Sequence, residues 1–145
     1  MRTAFITQLQ EEARKNDKIF LLVGDLGYHV VEPFAEEFPD RFLNVGIAEQ
    51  NMAGVAAGLA MTGYNVYIYS IGNFPTLRCL EQIRNDIAYH EANVKIVSVG
   101  AGYAYGSLGA THQATEDIGV IRTIPNIVVA TPGDPVEARA IATLS

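Results

Sequence analysis

The sequence predicts an α/β domain with three layers (α/β/α), in which helices cover both faces of a mainly parallel central sheet. Largely apolar runs indicate several strands, and the run at residues 19–23 lacks the alternation of a half-exposed strand, as is typical of a strand covered on both faces. These runs alternate along the chain with segments of helical periodicity. That order favours parallel strands connected by helices.

Length and composition limit the class of protein. The 145 residues predict one domain, residues 1–145, that is long enough to bury a core. The net charge of −6 argues against binding to nucleic acid or to an anionic membrane. The single cysteine, Cys79, excludes an internal disulfide and fits a reducing compartment. With no apolar run long enough for a bilayer and no secretion signal, we expect a cytoplasmic domain.

Periodicity and capping predict the elements of the first half. Apolar residues at helical spacing indicate a first helix that Thr3 caps and that ends near Asn16. A strand follows at residues 19–23, then a short helix at 33–38 and a strand at 42–45.

The second half begins with a helix of small residues, which follows a tight turn at Gly46 and ends at Gly63. The later elements are strands at residues 64–69, 94–99 and 126–130 and helices at about 77–90 and 116–123. Asp134 is predicted to cap a final helix that has Pro135 at its first position.

Glu49 is the one charged residue of the small-residue helix. A first-turn acid complements the helix dipole, and that is one interpretation. Gly54 and Gly58 leave one face of the helix bare, however, so another domain or subunit can pack closely there. A carboxyl group desolvated beside such a contact can share a proton with a basic ring nitrogen, which is the second interpretation.

Polar and aromatic residues follow several of the predicted strands. Open parallel sheets bind their ligands beyond the carboxyl ends of the strands. Asp25, Glu49, Phe74 and the glycine-rich loop at 100–112 all fall at those ends. We therefore expect a binding site at this edge of the sheet.

Several blocks of sequence occur in an order that is typical of one enzyme family. They are Gly46-Ile47-Ala48-Glu49-Gln50-Asn51-Met52, Gln82-Ile83-Arg84-Asn85-Asp86, Gly109-Ala110-Thr111-His112-Gln113, Ile124-Pro125-Asn126 and Pro132-Gly133-Asp134-Pro135. Together they resemble the pyrimidine-binding domain of transketolases and 1-deoxyxylulose-5-phosphate synthases, over nearly the whole chain. The later blocks are most similar to the smaller, C-terminal subunit of split transketolases. The resemblance implies the pyrimidine-type thiamine-diphosphate-binding fold.

The resemblance also implies a cofactor and a reaction. Thiamine diphosphate binds between two domains of the family, and the glutamate matched by Glu49 hydrogen-bonds N1′ of its aminopyrimidine ring. This contact activates the cofactor, which moves a two-carbon ketol unit from a ketose to an aldose. Aromatic residues before the second block flank the pyrimidine, so Phe74 is expected to do so and Tyr69 to share the role. An ordinary core position is the alternative for Phe74.

Histidine and aspartate residues complete the expected site. His112 matches the family's active-site histidine, which touches substrate oxygens, and the alternative is a loop histidine bonded to backbone. Asp25 stands where transketolases carry an acid near the thiazolium ring of the cofactor, with plain turn chemistry as the alternative. For His29 we expect solvent exposure, and for His90 a contact with a helix C-terminus.

Two positions depart from the transketolases that act on sugar phosphates. Those enzymes carry a second histidine upstream of the His112 match and an aspartate four residues before it. Gly100 and Leu108 occupy about those places here. A pentose-phosphate donor is therefore in doubt, and a modified sugar or a pyruvate-like acid is the alternative.

The diphosphate and metal site of the family is a further departure. It consists of Gly-Asp-Gly followed by a distant asparagine, which suits magnesium. Gly24-Asp25 and Asn51 have nearly the same spacing, but Leu26 replaces the second glycine, so we interpret the match as coincidence. We expect no metal ligands in this chain and place the Mg²⁺ ligands on a diphosphate-binding domain or subunit, within a homodimer or heterotetramer. We expect the family's C-terminal domain to lie on another chain or on a missing part as well, and the chain alone to be inactive.

Two alternative functions stay open from the sequence. One is the same domain in a deoxyxylulose-phosphate-synthase-like or other 2-oxoacid-using enzyme. The other is a non-catalytic dimerisation module of the same fold. Glu49 argues against the module, because such a protein has no physical need for an acid at that position.

Overall fold

The computed structural model describes all 145 residues and contains one four-stranded parallel sheet. The strands are β1 (Ile19–Val23), β2 (Phe42–Asn44), β3 (Asn65–Ile71) and β4 (Val94–Val99), in the spatial order β2-β1-β3-β4. The helices are α1 (Arg2–Lys15), α2 (Glu32–Glu37), α3 (Glu49–Met61), α4 (Leu80–Gln82), α5 (Asp117–Ile121) and α6 (Pro135–Leu144).

The register of the strands brings three carboxyl ends together. Val23, the last residue of β1, is the register partner of both Asn44 in β2 and Tyr69 in β3. The segments that leave β1, β2 and β3 therefore start side by side. This edge is where the sequence predicts the binding site.

One face of the sheet is covered by α3, by α5 and by the helical segment after β3, which comprises residues 77–88. Met52 and Ala56 of α3 and Ile83 of the helical segment pack against Leu22 and Ile68 of the sheet, and all five are buried. The small residues of α3 let this helix lie close to the strands.

The opposite face is covered by α1 and α2. Leu9 of α1 and Phe34 of α2 pack with Leu21 and Tyr67, and α6 lies against α1. Helices on both faces confirm the three-layer α/β/α prediction. Because successive side chains of a strand point to opposite faces, Tyr69 shares the α1 side with Tyr67.

Four predicted strands are confirmed within one or two residues, but the fifth is wrong. Residues 126–130 form no strand, Asn126 has a φ of 63° and Val128 is 93% exposed. A strand needs a neighbour that takes up its backbone hydrogen bonds, and no strand of the sheet pairs with this run. Instead the Asn126 side chain donates to the Ala88 carbonyl and holds the turn against the helical segment.

The predicted helix at 77–90 is helical but not regular. It consists of a 3₁₀ turn (Leu77–Cys79), α4 and a π-helical stretch (Ile83–Ala88). Thr3 does not cap α1, because this helix already begins at Arg2 and places Thr3 inside its first turn. Asp134 does cap α6, where one carboxylate oxygen accepts from the backbone N–H groups of Val136 and Glu137.

Gly63 ends α3 as predicted. Its φ of 97° is open to glycine without strain, and the next residue, Tyr64, donates back to the Leu59 carbonyl. None of the helices combines the length and the hydropathy that a membrane crossing needs.

Candidate active site

Glu49 is the first residue of α3, and its side chain is 1% exposed. One carboxylate oxygen, Oε1, accepts a hydrogen bond of 3.0 Å from Ser70 Oγ at the end of β3. The other, Oε2, accepts one of 2.9 Å from Arg78 Nη1. A buried carboxylate is tolerated when such partners compensate its charge, so these two contacts hold Glu49 in one position.

Gly24 makes room for this carboxylate at the end of β1. A Cβ atom at this position would lie 3.1 Å from Glu49 Oε1 and 3.3 Å from Ser70 Oγ. The carboxylate is thus enclosed on its Oε1 side by β1 and β3. Oε2 faces Arg78, which lines the cleft described below.

Arg78 connects Glu49 to an aromatic ring. Its side chain is 44% exposed, and its guanidinium carbon lies 4.6 Å from the centroid of the Phe74 ring. Phe74 lies in the turn after β3, three residues before the 3₁₀ turn (Leu77–Cys79) that carries Arg78. Neither Arg78 nor Ser70 was identified from the sequence, although a buried acid requires a nearby donor.

Phe74 also contacts His112. Their rings meet edge to face, with centroids 5.1 Å apart, and His112 Nδ1 lies 3.0 Å from Thr111 Oγ1. Together with their neighbours these side chains form an open cleft of about 390 Å³. The residues that line it are Asn73, Phe74, Leu77, Arg78, Thr111 and His112.

The loop that carries His112 is fixed at its base. Gly102 and Ala114 form an antiparallel bridge with backbone hydrogen bonds of 2.8 and 2.9 Å. The Asn73 side-chain amide donates to the carbonyls of Thr111 and Gln113 at 3.2 and 3.3 Å. These bonds connect the loop to the end of β3, next to Phe74.

Cys79 lies behind the cleft, next to Arg78 in the chain. Its buried thiol donates to the Phe74 carbonyl at 3.2 Å. Burial, and secondly the negative charge of Glu49, raise the pKa of the Cys79 thiol to about 12. The thiol therefore stays protonated and anchors the Phe74 backbone rather than acting as a nucleophile.

Tyr69 does not share this site. Its ring packs among the buried residues on the α1 side of the sheet, across β3 from Ser70 and Glu49. Its hydroxyl group is buried without a hydrogen-bond partner, and burial raises the pKa of Tyr69 to about 12.

Asp25 lies in the turn after β1, where it forms hydrogen bonds with Asn44. It has a φ of 56°; its N–H donates to Asn44 Oδ1 at 3.1 Å, and its carboxylate accepts from Asn44 Nδ2 at 3.0 Å. His29 is exposed, as expected, and His90 packs edge to face on Tyr89. No group of three or more His, Cys, Asp or Glu side chains converges as a metal site would need.

Comparison with known proteins decides the family. The family described as transketolase, pyrimidine binding domain, matches residues 1–144. The chain belongs to this transketolase family. This match confirms the resemblance to the pyrimidine-binding domain that the sequence predicts. The predicted fold is confirmed by a solved structure described as a split gene transketolase in an inactive beta4 tetramer, which superimposes with a TM-score of 0.86 at 42% identity. That match covers 99% of this chain and 46% of the other.

Two curated relatives of this transketolase domain are named as enzyme subunits. An apulose-4-phosphate transketolase subunit of Phocaeicola vulgatus is 40% identical over 144 residues, which cover 99% of this chain and 46% of the relative. The 6-deoxy-6-sulfo-D-fructose transketolase subunit SqwH of a Clostridium species is 37% identical over 141 residues, which cover 97% of this chain and 44% of the relative. The chain thus spans less than half the length of these relatives.

Proposed function

We propose that the chain is the pyrimidine-binding part of a thiamine-diphosphate-dependent, transketolase-like transferase, in which Glu49 activates the cofactor through N1′. The observation that carries this proposal is a carboxylate that is 1% exposed, fixed at Oε1 and directed at Oε2 toward a cleft beside Phe74. Family membership gives the context for that carboxylate.

The residues of the cleft suit a flat, basic heterocycle. Phe74 offers an aromatic surface, and Glu49 Oε2 can accept or give a proton at a ring nitrogen next to it. Ser70 and Gly24 keep the carboxylate in place while this happens, because they enclose Oε1. When bound, thiamine diphosphate supplies the carbanion chemistry for moving a two-carbon ketol unit from a ketose to an aldose.

His112 is proposed to bind the substrate. It lines the cleft at the base of a loop that Asn73 fixes to β3. The Phe74 ring on one side and Thr111 Oγ1 at Nδ1 restrict the orientation of the imidazole. In that arrangement the free edge of the ring can donate a hydrogen bond to a substrate oxygen.

A partner supplies the rest of the active site in this proposal. The ligands of Mg²⁺ and the diphosphate-binding surface are assigned to another domain or subunit, so that the assembled enzyme is a homodimer or heterotetramer and the isolated chain is inactive. Relatives named as subunits, more than twice as long as this chain, support the assignment. Purification of the tagged chain from its native lysate tests it: a stoichiometric partner that arrives with thiamine diphosphate and magnesium is expected, and a cofactor-free homodimer would contradict it.

The donor is proposed to be a modified sugar, with a phosphate or a comparable anionic group. Two of the relatives are named for apulose 4-phosphate and for 6-deoxy-6-sulfo-D-fructose. Gly100 and Leu108 stand at about the places where the resemblance implies polar donor contacts in pentose-phosphate transketolases. Substrate profiling of the assembled enzyme tests this assignment. Consumption of a ketose with an aldose acceptor is expected, whereas release of carbon dioxide from pyruvate would favour the 2-oxoacid alternative.

Glu49→Gln tests the mechanism in the assembled enzyme. The amide retains the shape of the side chain but cannot give a proton to a ring nitrogen, so turnover is expected to fall by about 10²- to 10⁴-fold. Exchange of the C2 proton of bound thiamine diphosphate, followed by NMR after acid quench, should slow in parallel. Glu36→Gln, at an exposed position on α2, is the matched control. Unchanged exchange in Glu49→Gln would contradict the mechanism and favour a non-catalytic module.

A further inference from the structure

Arg78 makes both contacts that the proposed function assigns to the pyrimidine ring. Its guanidinium group is planar and lies over the Phe74 ring, with its central carbon 4.6 Å from the ring centroid. The same group donates an N–H to Glu49 Oε2 at 2.9 Å. A flat cation on Phe74 with an edge toward Glu49 thus imitates a flat heterocycle in the same place.

We propose that Arg78 is a placeholder for the pyrimidine ring, one that holds Glu49 in the cofactor-free site and leaves when the ring binds. This inference rests on the proposed function, because it needs Glu49 to be the partner of N1′. It adds a competition: guanidinium and pyrimidine cannot both occupy Oε2 and the face of Phe74.

The enclosure of Glu49 makes this competition unavoidable. Oε1 is already bonded to Ser70, and the closeness of Gly24 leaves no space on that side. Oε2 is therefore the oxygen left for an incoming ring nitrogen, and Arg78 occupies it in a side chain that is only 1% exposed.

Arg78 is also the partner that can leave. Ser70 is fully buried in β3, whereas the Arg78 side chain is 44% exposed and belongs to a short 3₁₀ turn (Leu77–Cys79). The cleft beside it, lined by Leu77 and His112, is open. The guanidinium can therefore rotate into the cleft and keep its hydration, while the backbone of the turn stays in place.

The placeholder has an energetic reason. Without the cofactor, a carboxylate as buried as that of Glu49 would lose hydration with no compensating cation, which is costly. The ion pair removes that cost and preserves the orientation of Glu49. In return, the apparent affinity for the cofactor equals the intrinsic affinity multiplied by the fraction of molecules in which Arg78 has left Oε2, and it is therefore lower.

Arg78→Met in the assembled enzyme tests the exchange by cofactor binding. Methionine retains much of the side-chain length but cannot ion-pair with Glu49. The dissociation constant of thiamine diphosphate, measured by titration calorimetry at saturating Mg²⁺, is expected to fall about two- to fivefold, because a half-exposed pair is weak. Arg14→Met is the matched control: it breaks the Arg14–Glu37 pair on the α1 side, which has no contact with the site, and should leave binding unchanged.

Melting temperatures give a second readout that does not depend on turnover. The cofactor-free Arg78→Met assembly should melt below the wild type, and the difference should disappear when thiamine diphosphate saturates the site. In a Glu49→Gln background, Arg78→Met should no longer lower the melting temperature of the cofactor-free assembly. If the contact of Arg78 with Phe74 were purely structural, Arg78→Met would lower the melting temperature in both cases.

Several results would overturn the exchange. Equal or weaker cofactor binding by Arg78→Met, and by Arg78→Gln as a polar second variant, would mean that Arg78 stays in the loaded site or has no part in binding. If Glu49→Gln still abolishes C2 exchange in that case, the proposed function stands and only the exchange falls. If the wild-type assembly binds no thiamine diphosphate, the proposed function fails and the exchange fails with it.

Discussion

Ser70 Oγ donates a hydrogen bond of 3.0 Å to Glu49 Oε1, and both side chains are buried. The bond connects the end of β3 to the first residue of α3. It therefore makes the position of the carboxylate a property of the sheet and not of a surface loop.

Ser70→Ala should destabilise the fold and misplace Glu49. The substitution leaves a buried carboxylate oxygen without its donor, which costs about 1–3 kcal/mol of the free energy of unfolding. Denaturant unfolding of the cofactor-free assembly measures the loss. Ser98→Ala, which removes a hydrogen bond of 2.8 Å from Ser98 on β4 to the carbonyl of Gly72 after β3, is the matched control and should leave turnover intact. Equal turnover losses in the two variants would contradict a specific role for Ser70.

Gly24→Ala should lower both the turnover of the assembled enzyme and the stability of the fold. The new methyl group would lie 3.1 Å from Glu49 Oε1, closer than ordinary van der Waals contact, so the carboxylate must shift. Crowding of this kind costs about 1–3 kcal/mol in folding, and we expect turnover to fall with it. Gly119→Ala, at an exposed glycine of α5 where a Cβ meets open space, should leave both quantities unchanged or raise stability slightly. Full turnover by Gly24→Ala would show that Glu49 tolerates displacement.

Phe74→Leu should weaken cofactor binding. Leucine retains apolar volume but lacks the aromatic face on which the pyrimidine is proposed to lie, and aromatic pairs are worth about 0.5–1.5 kcal/mol beyond burial. The dissociation constant of thiamine diphosphate should therefore rise. Phe38→Leu is the matched control, because Phe38 also has an arginine over its ring, Arg41 at 4.2 Å, but lies outside the cleft. Unchanged affinity in Phe74→Leu would assign Phe74 to the core alone.

The Cys79 thiol should make stability fall in alkaline solution. Its pKa is raised from an ordinary 9.0 to about 12, chiefly by burial, so the folded state retains a proton that the unfolded chain releases. Below pH 9 this contribution is fully present, and it is lost progressively between about pH 9 and 12. Comparing the free energy of unfolding of wild type and Cys79→Ala across that range isolates the effect. Identical slopes in the two proteins would contradict it.

The fold was predictable because its signals are local. The unbroken apolar run at residues 19–23 predicts β1, and Asp134 followed by Pro135 predicts the start of α6. The run at 126–130 has the same composition as a strand, yet strand formation depends on a neighbour that composition does not specify. The local sequence therefore could not predict that residues 126–130 stay outside the sheet.

The site was only partly predictable, for a similar reason. Position in the chain places Glu49 at a strand end, but its contact with Arg78 depends on the phase of an irregular helical segment that mixes 3₁₀, α and π turns. For Tyr69 a signal did exist. Strand alternation puts Tyr69 and Ser70 on opposite faces, so only one of them can lie beside Glu49.

The bridge between Gly102 and Ala114 closes the base of the His112 loop and leaves residues 103–113 as a span above it. Both ends of that span are anchored by backbone hydrogen bonds, and Asn73 anchors it again next to the histidine. Residues 103–110 can therefore be exchanged as a cassette, with little conformational entropy lost or gained at its ends. Because His112 at the end of this span is proposed to bind the substrate, we expect that grafting the span between related subunits changes the donor preference while Glu49 and its partners stay in place.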